Sequence, residues 1–196
     1  LTRITIGLNQ LTKLDVSKCI KLNELVLHSD HVTQLDVSNN PQLNRLEVYG
    51  KQLTQLDVSN NLMLARLSVT AHSLTQLDVS NNLMLISLVV EGGLISQLTQ
   101  LDVSKCIELV ELNVSAHKLT QLDVSNNLKL MSLAVDANQL TQLDVSNNPK
   151  LIVLLANNNP LTSLRLSDET IFENLLKIKI PTDLKFDKAK GYYTSE

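Results

Sequence analysis

A seven-residue phrase returns along this chain at a nearly constant interval, and that interval limits what the chain can fold into. LTKLDVS occupies 11–17, VTQLDVS 32–38, and LTQLDVS both 53–59 and 74–80; the phrase returns at 98–104, 119–125 and 140–146, then as LTSLRLS at 161–167. The aligned positions Asp15, Asp36, Asp57, Asp78, Asp102, Asp123, Asp144 and Arg165 are separated by 21, 21, 21, 24, 21, 21 and 21 residues. A period of this size marks one supersecondary unit stacked on copies of itself. Each unit also holds a second, looser copy of its own pattern. In the third unit Leu53-x-x-Leu56-x-Val58-x-x-Asn61 leads to Leu64-x-x-Leu67-x-Val69-x-x-His72 and then Leu74. The central L-x-L or L-x-V alternates apolar and polar, as a half-buried strand does. Only about three residues alternate, so two very short strands are expected per 21-residue coil. Asn then stands at a turn, where its side chain can bond nearby backbone.

One coil cannot stand alone. Its inward side chains are expected to be Leu53, Leu56, Val58, Leu62, Leu64, Leu67, Val69 and Leu74. Their burial does not offset the entropy lost in ordering the coil, so burial and hydrogen bonds shared between stacked coils must supply the remainder. Residues 1–167 read as an array of about eight coils, and Leu1-x-x-Ile4-x-Ile6-x-x-Asn9 is already a half-repeat, so the chain is expected to start mid-array. The pattern breaks after Ser167, and Phe172, Phe186, Tyr192 and Tyr193 all lie beyond it. Residues 168–196 read as a C-terminal cap or the start of a linker. DETIFENLL at 168–176 suggests a short helix with Ser167 or Asp168 as N-cap, and KIKI at 177–180 a strand ended by Pro181. The one 24-residue interval places three extra residues near EGGLIS at 91–96, where Gly92 and Gly93 permit unusual backbone angles. A surface bulge and a protruding contact loop both fit that insertion.

LTQLDVSNN at fixed register resembles the leucine-rich repeat family, specifically its 21-residue bacterial type with two short motifs per coil, and within it the internalin-like cell-surface proteins. The resemblance covers residues 1–167. It implies a right-handed leucine-rich repeat solenoid of the α/β superfamily class, built mostly of short parallel strands and loops. It also implies recognition of a protein partner without catalysis, and an extracellular or cell-surface location. Such proteins often carry Cys at the inner position of the second strand, where this chain has Leu27, Val48, Val69, Val90, Val114 and Val135.

Stacking turns sequence positions into columns with neighbours ~4.8 Å apart. The Asn column of the first half reads Cys19, Asn40, Asn61, Asn82, Cys106, Asn127 and Asn148, a structural ladder in which a thiol can replace the amide as a weak donor. The two cysteines stand four coils apart, roughly 19 Å at that rise, and a disulfide needs Cα atoms within ~7 Å, so two free thiols are expected. Seven carboxylates in the Asp column should repel one another, and hydrogen bonds to Thr, Ser or backbone groups of adjacent coils are expected to offset this. Weak binding of hard cations such as Ca²⁺ is the sharper reading, but no Asp-x-Asp-x-Asp-Gly loop occurs and no metal is expected. The outward positions of the second half differ from coil to coil, whereas the first half barely changes. Partner binding is therefore placed on the outward face of the second strand, at Arg45, Glu47, Tyr49, Arg66, Ser68, Glu111 and Asn113. Arg45, Glu47, Tyr49 and Arg66 form its best patch, since Tyr and Arg are favoured interface anchors.

Other functions find little support. A net charge of −3 with no Lys/Arg block argues against nucleic acid, and no stretch approaches the ~18 apolar residues of a membrane span. Neither GxGxxG, GxxxxGK[ST] nor GxSxG occurs. His28, Asp30 and His31 share one turn, but no fourth metal ligand is evident. No catalytic residue, cofactor or metal is expected, and the chain reads as a monomeric protein-binding or adhesion module. Glycan binding is the alternative, weakened by an aromatic content of 3%, and a structural spacer projecting another domain is the third reading.

Overall fold

Leu-x-Val with polar neighbours favours an extended chain with one wet face, and the second half of each coil takes that form. The computed structural model describes residues 1–93, 96–166, 177–187 and 192–194. One parallel sheet runs through β1 (Arg3–Asn9), β2 (Glu24–Ser29), β4 (Arg45–Tyr49), β6 (Arg66–Thr70), β7 (Ser87–Glu91), β8 (Glu111–Asn113), β9 (Ser132–Ala134), β11 (Val153–Leu155) and β13 (Lys177–Lys179). Equal repeat positions pair: Arg45 lies beside Glu24 on one side and Arg66 on the other, with Leu25, Leu46 and Leu67 in file beneath. Nine strands in one register, returning once per repeat, make a leucine-rich repeat solenoid.

The first half of the coil pairs less completely than two strands per coil would require. β3 (Gln34–Asp36) joins β5 (Gln55–Asp57), and β10 (Gln142–Asp144) joins β12 (Ser163–Arg165), but residues 76–78, 100–102 and 121–123 form no strand. An open groove of about 560 Å³ lies there instead, between Gln55, Gln76 and Gln100 on one wall and Asp57, Asp78 and Asp102 on the other. The aspartates set where these segments end. Asp57 Oδ1 accepts the Ser59 N–H at 2.9 Å, and Asp15, Asp36, Asp78, Asp102, Asp123 and Asp144 do the same to the serine two residues on. This local bond turns the chain out of the extended conformation at the aspartate, in coils with a paired strand and without one alike, so no strand here runs past it. It also corrects the expectation of bonds to adjacent coils, because each carboxylate is satisfied inside its own coil. The serine hydroxyl and N–H together hold the Asp15, Asp36, Asp57, Asp102 and Asp123 carboxyls below the usual carboxylate range, as the Ser80 N–H and hydroxyl do for Asp78.

No such aspartate follows the early second-half strands, and they run longer than expected: seven residues in β1, six in β2 and five in β4, β6 and β7. β8, β9 and β11 stop at three residues. Three positions beyond their ends Ala116, Ala137 and Asn158 turn through the left-handed region at φ 61, 56 and 56°.

The core is a set of aliphatic files. Leu22, Leu43, Leu64, Leu85, Leu109 and Leu130 are fully buried, as are Val37, Val58, Val79, Val103 and Val124. Leu62 departs from its expected inward place and is 57% exposed. Asn61 takes the inward position, at 0% exposure, and the residue after it must face out. At the insertion, a Cβ on Gly92 would lie 2.2 Å from the Ala116 carbonyl oxygen, and one on Gly93 would lie 2.9 Å from the His72 ring. Both glycines are there for close approach and not, as expected, for unusual backbone angles.

Beyond the repeats, β13 adds in parallel to β11, and β15 (Tyr192–Thr194) runs antiparallel between β12 and β14 (Lys185–Asp187). The strand expected at 177–180 is present over 177–179. The helix expected at 168–176 lies outside the described residues. Among the described residues no helix is long and apolar enough to cross a membrane.

Candidate partner-binding face

The interior ladder holds the coils in register and so sets where outward side chains sit. Asn40 Nδ2 donates to Val16 O at 3.1 Å and to Cys19 O at 2.9 Å. Asn61, Asn82, Asn127 and Asn148 repeat the two bonds one coil further each time, at 2.9–3.1 Å. Cys106 stands in the same file but reaches Val79 O and Asn82 O only at 3.6 and 3.9 Å. Both thiols are free, Cys106 buried and Cys19 half-buried, and burial pushes the Cys106 thiol up to about 11. The second half has its own rungs: Asn138 and Asn159 Nδ2 donate to Val114 O and Val135 O. His117 takes this place one coil earlier, with Nε2 3.0 Å from Val90 O and Nδ1 against the Ser96 hydroxyl.

On this frame alternation points Arg45, Glu47 and Tyr49 outward from β4 and Arg66 and Ser68 outward from β6, while Leu46, Val48, Leu67 and Val69 face the core. Arg45, Glu47, Arg66 and Ser68 are neighbours around a shallow depression of about 160 Å³ that Ser87 also lines, and Tyr49 stands beyond it at the end of β4, beside Thr70. Glu111 and Asn113, on β8, stand apart from them across the whole width of β7. Glu111 accepts the Ser87 hydroxyl at 2.8 Å, and Asn113 Nδ2 donates to Glu91 at 3.2 Å.

The patch carries a charge network that spacing alone does not show. Glu24 pairs with Arg3 at 3.3 Å and with Arg45 at 3.1 Å, and Arg45 also reaches Glu47 at 2.9 Å. His28 Nε2 lies 3.3 Å from Glu47, and Lys51 pairs with Asp30 at 3.0 Å. The Tyr49 ring is flanked by His28, 6.0 Å between centroids at a tilt of 52°, and by the Lys51 ammonium at 5.4 Å. Glu24, His28, Asp30 and Lys51 were absent from the expected patch. Their signal was register, since residues 21 apart are strand neighbours. The same pairing takes up His28 and Asp30 of the HSDH turn. Arg66 is exposed and makes no ion pair among the described residues. The site therefore offers one uncommitted cation, a braced aromatic ring and a largely neutralised carboxylate–guanidinium row on a rigid sheet.

No protein-family model and no curated protein matches the chain. Solved structures do. The functional domain of InlJ from Listeria monocytogenes, described as including a cysteine ladder, is 29% identical with a TM-score of 0.62, over 92% of this chain and 44% of that one. A leucine-rich repeat protein of Leptospira interrogans is 23% identical with a TM-score of 0.74, over 92% of this chain and 48% of that one. Internalin C2 of Listeria monocytogenes is 16% identical with a TM-score of 0.68, over 92% of this chain and 80% of that one. The chain thus spans less than half the length of the first two. In this chain the inner second-strand positions Leu27, Val48, Val69, Val90, Val114 and Val135 are aliphatic and buried, and the two cysteines stand four coils apart. With its 21-residue coils, continuous parallel sheet and Asn rungs, the chain has a leucine-rich repeat solenoid fold similar to that of the bacterial internalins.

Proposed function

We propose that the chain is a non-catalytic recognition module whose nine-stranded face binds a protein on or outside a bacterial cell. The observation that carries this reading is the patch around Tyr49 and Arg66. A ring held from two sides loses little side-chain entropy on binding, and an exposed guanidinium without an internal partner is available to a carboxylate of another protein. Arg45 supports the patch and does not compete for the same ligand, since Glu24 and Glu47 already hold it. The grooves of the described residues are open to solvent, which suits a surface that docks a macromolecule better than one that excludes water for chemistry.

The test is capture of extracellular and surface proteins by the immobilised chain, with Tyr49→Ala plus Arg66→Glu as the comparison. Loss of a captured partner in the double variant, beside a glycan array without hits, supports the reading. Unchanged capture removes the patch from it. Glycan hits lost in the same variant replace protein by sugar, and no ligand in either assay leaves a spacer that projects another domain.

A further inference from the structure

The side of the solenoid between the two strand columns carries large aliphatic side chains in water. Leu62, Leu83, Ile107 and Leu128 are 52–57% exposed, and they occupy the same repeat position, just after the ladder rung. Met63 and Met84 lie beside them at 55 and 53%, with Ile86 and Met131 at 45 and 40%. The loops that carry them are stacked directly, as Ile86 N–H donates to Ala65 O, Val110 N–H to Ile86 O and Met131 N–H to Val110 O, each at 2.8 Å. Eight such side chains about half exposed amount to roughly 800 Å², more than the largest apolar patch of a typical monomer and equal to one partner's share of a standard interface. Pro41 and Gln42 at one end and Pro149 and Lys150 at the other interrupt the strip, and Ile20, 61% exposed, resumes the same column one coil beyond Pro41.

We propose that this strip seats a second copy of the same chain, the two solenoids lying antiparallel about a two-fold axis between Leu83 and Ile107. Area is one reason. The order of the column between its two prolines is the other: Pro41, Leu62, Leu83, Ile107, Leu128, Pro149 reads nearly the same in both directions, and Ile20 lies outside this symmetric stretch. A two-fold axis at its centre sets Leu62 against Leu128, Leu83 against Ile107 and proline against proline, as an isologous interface requires. The neighbouring column is not symmetric, but its charges are already paired. Lys129 Nζ lies 2.6 Å from Glu108, so Met63 and Met84 of the second copy would meet a neutral ion pair, against which a flexible thioether packs well. The dimer replaces the monomer expected from the sequence. It uses neither strand face, so each copy keeps its Tyr49 patch open and the pair becomes bivalent.

Sedimentation velocity of the full chain from low to high micromolar concentration tests this. A monomer–dimer equilibrium is expected, weakened at least about a hundredfold by Leu83→Glu plus Met84→Glu, two substitutions at exposed positions that should leave the thermal melt of the monomer unchanged. In a Cys19→Ser background, Leu62→Cys and Leu128→Cys proteins should cross-link when mixed, and neither alone. A monomer at every concentration overturns the proposal. So do a dimer indifferent to the double variant, a Leu62→Cys protein that cross-links to itself, and a monomer that uses the strip to bind neutral phosphatidylcholine vesicles.

Discussion

Replacing the Asn61 amide measures what the interior ladder contributes. Asn61 Nδ2 donates to Val37 O at 3.0 Å and Asn40 O at 2.9 Å. Neither carbonyl would be orphaned in Asn61→Ala, because Val37 O also accepts the Asn40 N–H and Asn40 O the Leu43 N–H, both at 3.0 Å. What is lost is a second bond at each carbonyl, about 1–3 kcal/mol for the two, plus the packing of a fully buried side chain. Partly offsetting this, the substitution removes Asn61 Oδ1, which is buried and has no hydrogen-bond partner among the described residues. The net expectation is a loss of about 2 kcal/mol. The chain contains its own calibration. Cys106 fills the same place with contacts of 3.6 and 3.9 Å, so Cys106→Asn should gain about 1 kcal/mol by shortening them. Urea unfolding of the full chain reads both as shifts in midpoint at constant slope. Reaction of Cys106 with a thiol reagent gives a local check: a buried thiol raised to about 11 reacts only when its coils open, and Asn82→Ala next to it should speed that reaction. An Asn61→Ala loss below about 0.5 kcal/mol, or a destabilising Cys106→Asn, would refute the ladder as a source of stability.

Burial holds the His117 imidazole below its usual range, so the folded chain binds fewer protons than the unfolded chain between the two values. Stability should therefore fall as pH falls below about 6.5, and His117→Asn, which copies the Asn138 rung, should flatten that slope in pH-dependent urea melts. Gly92→Ala would set a Cβ 2.2 Å from Ala116 O and should destabilise by more than about 2 kcal/mol in the same assay, while Gly7→Ala, with nothing within 4 Å, should stay within about 0.5 kcal/mol. Ala137→Gly relieves a left-handed alanine at φ 56° and should raise the midpoint by the equivalent of about 0.5 kcal/mol, the steric gain exceeding glycine's entropic penalty; a lower midpoint would show that the turn is not strained.

The inward files were legible because a fixed period maps residue number onto height, and every coil repeats the same Leu and Val. Turns broke that legibility. Through Asn60–Asn61–Leu62 the chain leaves the two-residue alternation, and only the turn geometry sends Leu62 out; the apolar strip was hidden for that reason. The length of each strand was hidden too, because it depends on whether an aspartate bonds two residues ahead or a left-handed residue follows. Ser96 pairing with His117 lies across the three-residue insertion, where counting from either side gives a different register. The carboxylate row from Arg3 through Glu24 to Arg45 was implicit in the period, but it needs actual side-chain reach to become a network.

The contrast between an almost invariant first half and a variable second half must be weighed again in this light. In the first half most positions hold an assignable place: Leu and Val fill the core, Asp turns the chain, Ser satisfies Asp, and Asn carries the ladder. Uniformity there follows from structure alone. The outward positions of the second half carry fewer such constraints, so drift would diversify them as readily as selection for a ligand. Variation by itself therefore does not distinguish Arg66 from Ser132, which occupies the same row of the sheet three strands away. Chemistry does, because among the described residues only the β4–β6 end combines a braced tyrosine with a guanidinium that makes no ion pair. Ser132→Glu should accordingly leave partner capture intact where Arg66→Glu abolishes it. Equal effects of the two would mean that the sheet recognises its ligand through shape along its length and not through the Tyr49–Arg66 anchor.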